Sequence, residues 1–589
     1  MLYRKFDAKK YERELKGIFQ ELFALEKIPR NKLKKILSKY PKDGDSIFSK
    51  DQLIHGFEYL KKKSVIAKDK RLPEILKMKP TRTISGVTIV TVLTKPFHCP
   101  GKCIFCPNDI RMPKSYIATE PGAQRALNNR FSPYSQVYNR LKALHQIGHP
   151  TEKIELIVLG GTWSYYPRNY QVWFIKECFR ALNDFDPKHM QDLSPEQVNK
   201  NKFNTLNEQI REQTGAKTYN DLIKTKEYKE KFSQFITQGE KAGWEDLYKQ
   251  QEKNEKSRAR CVGLVLETRP DRLNPEEVLI LRKFGATKIQ IGVQTLNEKV
   301  NTLNKRLESK KQISNAFKLL RAGGFKIHAH IMPNLYGATP EIDRESYKEL
   351  FNSENFKPDE LKIYPTSIIK YTELHDLFKE GKYKPYDLNT LTDLLADCIE
   401  MTPEYCRLTR IVRDIPSTEI EAGNKRTNLR ELVENKLKAE NRKNENIRAR
   451  EIRGEIVTAD DLHLNAVKYK TVLTNEYFLQ YITKENKIAG FLRLSIPNKI
   501  KNINPITKEL DNSAIIREIH VYGPSLNLGK GSTGEAQHLG LGTKLIEEAK
   551  KITKDSGFKN LAVISAIGTR EYYRKRGFVD GELYQFIRL

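Results

Sequence analysis

The sequence lacks any run of about eighteen apolar residues, the length that a membrane-spanning helix requires. Its first ten residues also lack the apolar core of a signal peptide. Cysteine is scarce, with 7 residues in 589. Three of them lie together, and the other four are scattered at Cys178, Cys261, Cys398 and Cys406. Because this spacing does not indicate a disulfide framework, we expect a soluble protein of the cytoplasm.

The three clustered cysteines are Cys99, Cys103 and Cys106, in the order C-x3-C-x2-C. A 4Fe–4S cluster is normally held by four thiolates, so three leave one iron open to a small molecule. S-adenosylmethionine fits that position through its amino and carboxylate groups, and one-electron reduction then yields a 5′-deoxyadenosyl radical. The alternative is a zinc loop or three unrelated thiols. Tetrahedral zinc needs a fourth ligand at matching spacing, and His98 lies too close to Cys99 to supply it.

The net charge points to a polyanionic partner. Lys and Arg number 104 against 74 Asp and Glu, which leaves a formal charge of +30. Nucleic acid is the obvious candidate, although genome composition or heat adaptation also enriches lysine. The placement of the charge favours nucleic acid, because basic clusters concentrate in the first eighty residues or so. These clusters are residues 30–35, 61–63 and 68–71.

The apolar pattern predicts an α/β fold. Helical spacing runs from about residue 6 to 65, with lysine and arginine opposite one apolar stripe. The pattern becomes β-branched at 84–93, which leads into the cysteine loop as a first barrel strand would. Later apolar runs alternate with helical segments, which indicates parallel strands of a barrel or partial barrel. These runs are 154–159, 261–266, 288–293, 326–332 and 360–364.

The remaining segments divide the chain into domains, of which its length predicts two or three. A polar stretch over about 186–258 is interpreted as a helical insertion, and the charged segment near 420–455 as a helix followed by a linker. Antiparallel strands of a second α/β domain are predicted at 477–481, 488–496 and 514–521. The predicted boundaries are 1–78 for the basic helices, 79–400 for the barrel, 401–460 for the linker and 461–589 for the C-terminal domain.

Several polar residues end or line the predicted strands, where barrel sites are built. Gly160 and Gly161 let the backbone approach a ligand such as a methionine amino group, but a plain tight turn explains them equally well. Glu267 is placed to hold a ribose hydroxyl or the sulfonium, unless it forms a surface ion pair. Further candidates are Gln290, Gln294, His328 and His330, although a core histidine is the commoner role for the last two.

A second motif, Gln537-x-x-Gly540-x-Gly542, lies between a predicted strand and helix. A glycine-rich turn at a helix N-terminus presents N–H groups and the positive dipole end to a pyrophosphate. The motif resembles the acyl-CoA loop of the GNAT acetyltransferases. Tyr572 and Tyr573 follow in the order that such folds use, and a phenol near the CoA sulfur can protonate a leaving thiolate.

Both halves together resemble the catalytic subunit of Elongator, a radical-SAM acetyltransferase family that modifies the wobble uridine of tRNA. The resemblance spans nearly the whole chain. It is carried by the three cysteines and by residues 80–86, 132–134, 160–162, 267–271, 291–294, 330–333, 362–366, 413–416, 518–523 and 572–573. It implies a radical-SAM partial TIM-like barrel, a C-terminal GNAT-type acetyltransferase domain and a small basic helical N-terminal region.

The resemblance also implies residue roles. The cysteines would hold a 4Fe–4S cluster that binds S-adenosylmethionine, and Lys153 would contact acetyl-CoA from outside the GNAT domain. The other implied acetyl-CoA contacts are Glu518, Ile519, His520, Val521, Ala536, Gln537, His538 and Tyr573. Lys362 and Tyr364 are expected at the seam between the domains and are candidate catalytic residues with the tyrosine pair. Many prokaryotic relatives carry a cysteine-rich zinc segment in the linker, but residues 448–455 contain no cysteine, so no zinc is expected there.

Family chemistry joins the acetyl methyl carbon to uridine C5, and thioester hydrolysis then leaves 5-carboxymethyluridine. The resemblance therefore implies that the wobble base of the anticodon stem-loop flips into the cleft. The basic N-terminal helices and the surface around Lys102 would hold tRNA phosphates. Two alternatives stay open, a protein lysine acetyltransferase with a structural cluster and an RNA-binding scaffold. The tRNA species, the electron donor and the presence of a homodimer or accessory subunits stay open as well.

Overall fold

The computed structural model describes residues 6–25, 30–43, 46–66, 76–77, 83, 85–193, 200–215, 218–237, 239–453, 455, 457–499, 503–522 and 540–589. Within these ranges no helix is both long enough and apolar enough to span a membrane. Three N-terminal helices form a small unit with its own core, namely Glu12–Phe23, Arg30–Lys39 and Lys50–Lys62. Leu15, Phe19, Leu53 and Phe57 are buried there because apolar residues recur every three or four positions.

Seven strands form a curled parallel sheet. They are Thr88–Leu93 (β1), Lys153–Leu159 (β2), Arg260–Thr268 (β3), Lys288–Gln294 (β4), Lys326–Ile331 (β5), Glu360–Ile363 (β6) and Arg407–Arg410 (β8). The order is β1-β2-β3-β4-β5-β6-β8. All neighbours are parallel, so the carboxyl ends of the strands meet at one edge of the sheet and the amino ends at the other.

Helices connect and cover these strands. They are Pro121–Asn128, Pro133–Gln146, Arg168–Asp184, Pro275–Lys283, Glu298–Leu303, Lys310–Ala322, Pro340–Asn352, Glu373–Lys379 and Leu388–Glu400. The polar insertion carries Lys200–Asn204, Leu206–Thr214, Tyr219–Lys224, Lys226–Ser233 and Trp244–Lys256. Its middle helices pack against the residues that follow the cysteine loop, where Tyr219 Oη donates to the Met112 carbonyl at 2.9 Å.

The segment 401–460 is not only the linker that its charge indicated. It supplies β8, which pairs with β6 at the edge of the parallel sheet. It also supplies Ile420–Ala422 (β9), which pairs with Ile368–Ile369 (β7), and the helices Leu429–Ala439 and Ile447–Arg450. The parallel sheet therefore extends past residue 400. Of the four residues of β8 only Leu408 is apolar, and it is buried in the core, so no apolar run marks this strand in the sequence.

The second sheet is mostly antiparallel. Its strands are His463–Lys470 (β10), Thr474–Ile482 (β11), Ile488–Pro497 (β12), Ser513–Val521 (β13), Asn560–Val563 (β14), Val579–Asp580 (β15) and Gln585–Arg588 (β16). β13 and β14 are parallel and are connected by the helix Leu541–Asp555. Both faces of β12 are buried, since Leu492 and Leu494 pack under that helix while Phe491 belongs to the core shared with the parallel sheet.

A buried ionic network locks the two sheets together. Arg517 of β13 donates to both oxygens of Asp359, the residue before β6, at 2.6 and 2.8 Å. It also donates to Glu476 of β11 at 2.6 Å and to the Phe325 carbonyl at 3.2 Å. Arg517 and Asp359 are buried, so each charge depends on its partners for compensation.

Candidate active site

The cysteine loop follows the carboxyl end of β1, and a polar donor lies near each of its sulfur atoms. The contacts are Gly101 N–H to Cys99 Sγ at 3.4 Å, Arg306 Nη1 to Cys103 Sγ at 3.8 Å and Ser115 Oγ to Cys106 Sγ at 3.2 Å. N–H and O–H donors stabilise thiolates and tune the clusters that thiolates bind. This donor set therefore fits three cysteine ligands of an iron–sulfur cluster.

The loop favours a thiolate at Cys106 and disfavours one at Cys103. A hydrogen bond between Cys103 and Cys106 raises the pKa of the Cys103 thiol and lowers that of Cys106 to about 6. The backbone is held from both sides, because Ile104 N–H donates to the Asn304 carbonyl at 3.2 Å and Leu374 N–H donates to the Ile104 carbonyl at 3.0 Å. The segments that follow β4 and β7 thus fix the position of the loop.

A cavity of about 1710 Å³ runs along the inner face of the parallel sheet and reaches the second sheet. Alternate residues of β4, β5 and β6 point into it, because side chains alternate along a strand. From the amino edge to the carboxyl edge, the lining residues are Lys288, Gln290 and Gln294 of β4, Lys326, His328 and His330 of β5, and Glu360 and Lys362 of β6, followed by Tyr364. The register places Lys326 beside Lys288, His328 beside Gln290 and Glu360, and His330 beside Lys362. Cys106 and Glu267 line the end near the cysteine loop, while Ile519 and Gly542 line it in the C-terminal domain.

The amino end of the cavity, nearest the second sheet, is lined by charged side chains that form ion pairs. Lys288 Nζ lies 2.8 Å from Glu155 and 3.0 Å from Glu360. Lys326 Nζ lies 2.8 Å from one oxygen of Glu518, and Arg493 Nε lies 2.9 Å from the other. Burial alone would raise the pKa of Glu518, but these two cations outweigh it and lower that pKa to about 2. Each carboxylate oxygen of Glu518 therefore forms an ion pair with a cation at the seam between the two sheets.

Lys362 and Tyr364 face the cavity. The seam is formed just before β6, where Asp359 binds Arg517 of β13. Lys362 Nζ donates to Gln290 Oε1 at 2.5 Å and lies 3.9 Å from Glu267. Burial lowers the pKa of Lys362 to about 8. Lys362 thus lies between the ion pairs at the amino end of the cavity and the carboxyl edge, with a pKa of about 8.

The two histidines of β5 are core residues with low basicity. Burial lowers the pKa of both His328 and His330 well below the ordinary value. His328 Nε2 is 3.0 Å from the Thr409 hydroxyl, and the His330 ring packs edge-on against Tyr364 with centroids 4.6 Å apart. Neutral imidazoles in these positions line the cavity without adding charge to it.

The second domain offers a strand edge and a helix N-terminus to the same cavity. β14 pairs with β13 only over 513–516, so residues 518–521 pair with β12 on one side and line the cavity. The helix Leu541–Asp555 begins after Gly540, which has φ +67°. A Cβ at Gly542 would collide with the Tyr572 hydroxyl, so the tyrosine lies directly over the first turn. Ala536, Gln537 and His538 lie outside the described residues.

The helix Arg570–Arg574 carries Tyr572 and Tyr573 and is clamped at both ends by the insertion. Glu255 of the helix Trp244–Lys256 binds Arg570 at 3.0 Å and Arg574 at 2.7 Å. Tyr573 is buried and packs edge-on against Tyr572, and both line the cavity. Sequence reasoning missed Glu255, because one carboxylate in a strongly charged helical insertion has no distinguishing pattern.

Two of the predicted ligand contacts lie at opposite ends of β2. Gly160 has φ +137° and its backbone packs against the Thr94 hydroxyl, while Gly161 packs against Tyr166. Neither is among the residues that line the cavity, and the contact of this pair with a methionine amino group stays a prediction. Lys153 lines the cavity at the amino edge, far along β2 from the cysteine loop, and burial and Arg260 lower its pKa.

Comparison with protein families and relatives agrees with this arrangement. Residues 95–350 match the Radical SAM superfamily and residues 358–439 match the Radical SAM C-terminal domain. A "tRNA uridine(34) acetyltransferase" of Methanocaldococcus jannaschii is 36% identical over 525 residues, which cover 86% of this chain and 86% of the relative. "Elongator complex protein 3" of Saccharomyces cerevisiae is 32% identical over 526 residues, with 86% and 84% covered.

A solved structure is similar as well. The archaeal Elp3 of Methanocaldococcus infernus, with an N-terminal deletion, superimposes with a TM-score of 0.66 at 30% sequence identity. The match covers 86% of this chain and 100% of that chain. The unmatched 14% of the chain is shorter than residues 463–589, so the likeness extends beyond the parallel sheet into the second sheet.

Proposed function

Because the chain belongs to the family of the tRNA uridine(34) acetyltransferases and Elongator complex protein 3, we propose that it carboxymethylates the wobble uridine of tRNA at C5, with acetyl-CoA as the carbon donor. The observation that carries the proposal is the cavity, which joins the cysteine loop to the Gly540–Gly542 turn. A reaction that needs a radical at one end and an acyl-CoA at the other requires such a connection. The product of this chemistry is 5-carboxymethyluridine.

Cys99, Cys103 and Cys106 would hold the 4Fe–4S cluster, which supplies one electron to cleave S-adenosylmethionine into methionine and a 5′-deoxyadenosyl radical. The donors around the three sulfurs support this role. Glu267 and Gln294 line the same end of the cavity and are the candidates to bind S-adenosylmethionine. No zinc site is proposed in residues 448–455.

The second domain is proposed to be a GNAT-type acetyltransferase module that binds acetyl-CoA. The edge of β13 that faces the cavity at 518–520 can hydrogen-bond the amides of pantetheine, as an added strand would. The first turn after Gly540 can bind the pyrophosphate, since a helix N-terminus attracts anions. Tyr572 or Tyr573 would then lie near the thioester sulfur, and Lys153 near another part of the CoA.

Lys362 is proposed to act as an ammonium that stabilises negative charge on the thioester carbonyl oxygen. Since its pKa is about 8, the rate of 5-carboxymethyluridine formation is expected to fall as the pH rises through 8. Lys362→Met is expected to lower the rate about 10²-fold or more and to remove this ionisation. Lys362→Arg keeps a charge at every accessible pH, so its profile should not fall near 8. An unchanged pH profile in Lys362→Met would contradict the role.

The N-terminal helices are proposed to bind tRNA phosphates. Several of their lysines form ion pairs within the unit, as Lys10 does with Asp43 and Lys63 with Glu12. On the helix Arg30–Lys39, however, Leu33, Ile36 and Leu37 are buried, while Lys34 and Lys35 are exposed. One face of this helix is thus available to the anticodon stem-loop.

The Lys34→Ala/Lys35→Ala variant tests this surface. Loss of two phosphate contacts is expected to weaken tRNA binding and to reduce the slope of log K against log salt by about 1 to 2. Binding is measured by filter retention at several salt concentrations. Lys551→Ala/Lys554→Ala removes the same charge from exposed positions of the helix Leu541–Asp555 and is the matched control. Equal slopes in the two variants would place the tRNA elsewhere.

The activity itself is tested anaerobically. The reconstituted protein is incubated with unmodified tRNA, S-adenosylmethionine, acetyl-CoA and a reductant, and the products are identified by mass spectrometry. Formation of both 5′-deoxyadenosine and 5-carboxymethyluridine is the expected result. Acetylated lysine on a protein substrate, with neither of these products, would instead identify a protein lysine acetyltransferase.

A further inference from the structure

Ser115 has a backbone conformation that serine rarely adopts. Its φ is +84°, in the left-handed region that favours glycine. Such a conformation is strained in a non-glycine residue, and it persists only where the surroundings fix it. Strained positions of this kind concentrate at functional sites, so the contacts of Ser115 are informative.

Two neighbours fix the residue. Arg413 Nη2 donates to the Ser115 carbonyl and also to Glu120 Oε1, the latter at 2.8 Å. The same guanidinium lies over the ring of Tyr116, with its carbon 5.0 Å from the ring centroid. The Glu120 carboxylate and the Tyr116 ring thus hold Arg413 in position. Its hydrogen bond to the Ser115 carbonyl then keeps the strained conformation in place.

The conformation brings the Ser115 hydroxyl to 3.2 Å from Cys106 Sγ. This contact is shorter than that of Gly101 N–H with Cys99 Sγ, 3.4 Å, and that of Arg306 with Cys103 Sγ, 3.8 Å. A serine hydroxyl is both donor and acceptor, but a metal-bound thiolate only accepts. With Cys106 as a cluster ligand, the hydroxyl must therefore be the donor.

We propose that Ser115 is a positioning residue of the redox centre, whose hydroxyl donates to the Cys106 thiolate and raises the reduction potential of the cluster. The inference rests on the proposed role of the three cysteines. On reduction the cluster gains one electron from an external one-electron reductant, and no covalent bond forms or breaks. The added electron increases the negative charge on the sulfurs, so a donor to one of them stabilises the reduced state more than the oxidised state.

The test is a potentiometric titration of the reconstituted full-length protein with dithionite, monitored by EPR, without tRNA or S-adenosylmethionine. Ser115→Ala is expected to make one-electron reduction about tenfold less favourable, a shift of about 59 mV to more negative potential. Ser115→Gly removes the same hydroxyl and also relieves the strain at positive φ, so it should shift the potential equally. Ser314→Ala is the matched control, because the Ser314 hydroxyl donates to Asn355 at 2.9 Å on the surface. This variant should not shift the midpoint potential.

An unchanged midpoint potential in both Ser115 variants, with iron content equal to that of the wild type, would overturn the proposal. So would a shift in Ser115→Ala alone, because the effect would then come from the backbone and not from the hydroxyl. Loss of iron from both variants at unchanged thermal stability would also overturn it, since Ser115 would then be needed for cluster binding. A wild-type protein that binds no cluster would refute the proposed function itself, which distinguishes the two failures.

Discussion

Cys103→Ala is expected to abolish both 5′-deoxyadenosine and 5-carboxymethyluridine. Three thiolates bind three irons of the cluster and leave the fourth open for S-adenosylmethionine. Two thiolates cannot hold the cubane in the loop. The protein should also lose its cluster iron and the associated absorbance after anaerobic reconstitution. Iron content, absorbance and product mass spectrometry on one preparation measure all of these effects.

Cys398→Ala is the matched control for this prediction. Cys398 is buried in the helix Leu388–Glu400, away from the cysteine loop, and its removal deletes a thiol without touching the proposed ligands. Iron content and both products should be retained. If Cys103→Ala keeps the cluster and both products, the three-cysteine assignment is wrong.

Arg517→Met is expected to destabilise the protein by about 3–5 kcal/mol. The substitution leaves Asp359 and Glu476 buried without their main cationic partner, and an uncompensated buried charge is far more costly than the pair was favourable. Since Arg517 joins the second sheet to the parallel sheet, product formation should fall together with stability. Urea denaturation monitored by circular dichroism measures the free energy of unfolding.

The same network predicts the pH dependence of stability. Burial would raise the pKa of Asp359, but Arg517, Arg321 and Arg493 outweigh it and hold that pKa well below its ordinary value. A carboxyl with a depressed folded-state pKa stabilises the protein above its unfolded-state pKa of about 4, and the contribution is lost as the pH falls below that value. Arg517→Met should therefore lose less stability than the wild type between pH 5 and 2.

Lys382→Met is the control for a lost ion pair. Lys382 binds Glu380 at 2.8 Å, but both side chains are more than half exposed. Exposed pairs contribute about 0–1 kcal/mol, so this variant should unfold almost like the wild type. An unfolding free energy of Arg517→Met within 1 kcal/mol of the wild type would show that the network does not stabilise the seam.

The apolar runs predicted β1 to β6 because buried parallel strands consist of consecutive apolar and β-branched residues. The same rule misses β8, which has an arginine at each end, Arg407 and Arg410, and lies at the sheet edge. It also misses β10, whose exposed residues pair with β11 through the backbone. Edge strands are recognised by their partners, and a single sequence does not contain that information.

The residues of the site divide in a similar way. Cys106, Glu267 and Gly542 could be found because they lie near strand ends or form recognised spacings, and Lys362 was found through the family resemblance. Ser115, Arg413, Glu255 and Arg517 could not, because their roles depend on a backbone angle or on contacts across hundreds of residues. Gly160 shows a limit of the sequence, since a glycine that serves packing and one that admits a ligand look the same there.

The most direct test of the account uses acetyl-CoA with a fully deuterated methyl group. If hydrogen is abstracted from that methyl group, 5′-deoxyadenosine should gain one deuterium, and the carboxymethyl group on the wobble uridine should retain the other two before exchange. Both masses are read from one anaerobic reaction. Unlabelled 5′-deoxyadenosine, or an intact trideuterated acetyl group on tRNA or on a protein lysine, would contradict the proposal that the two domains act on the same acetyl methyl group.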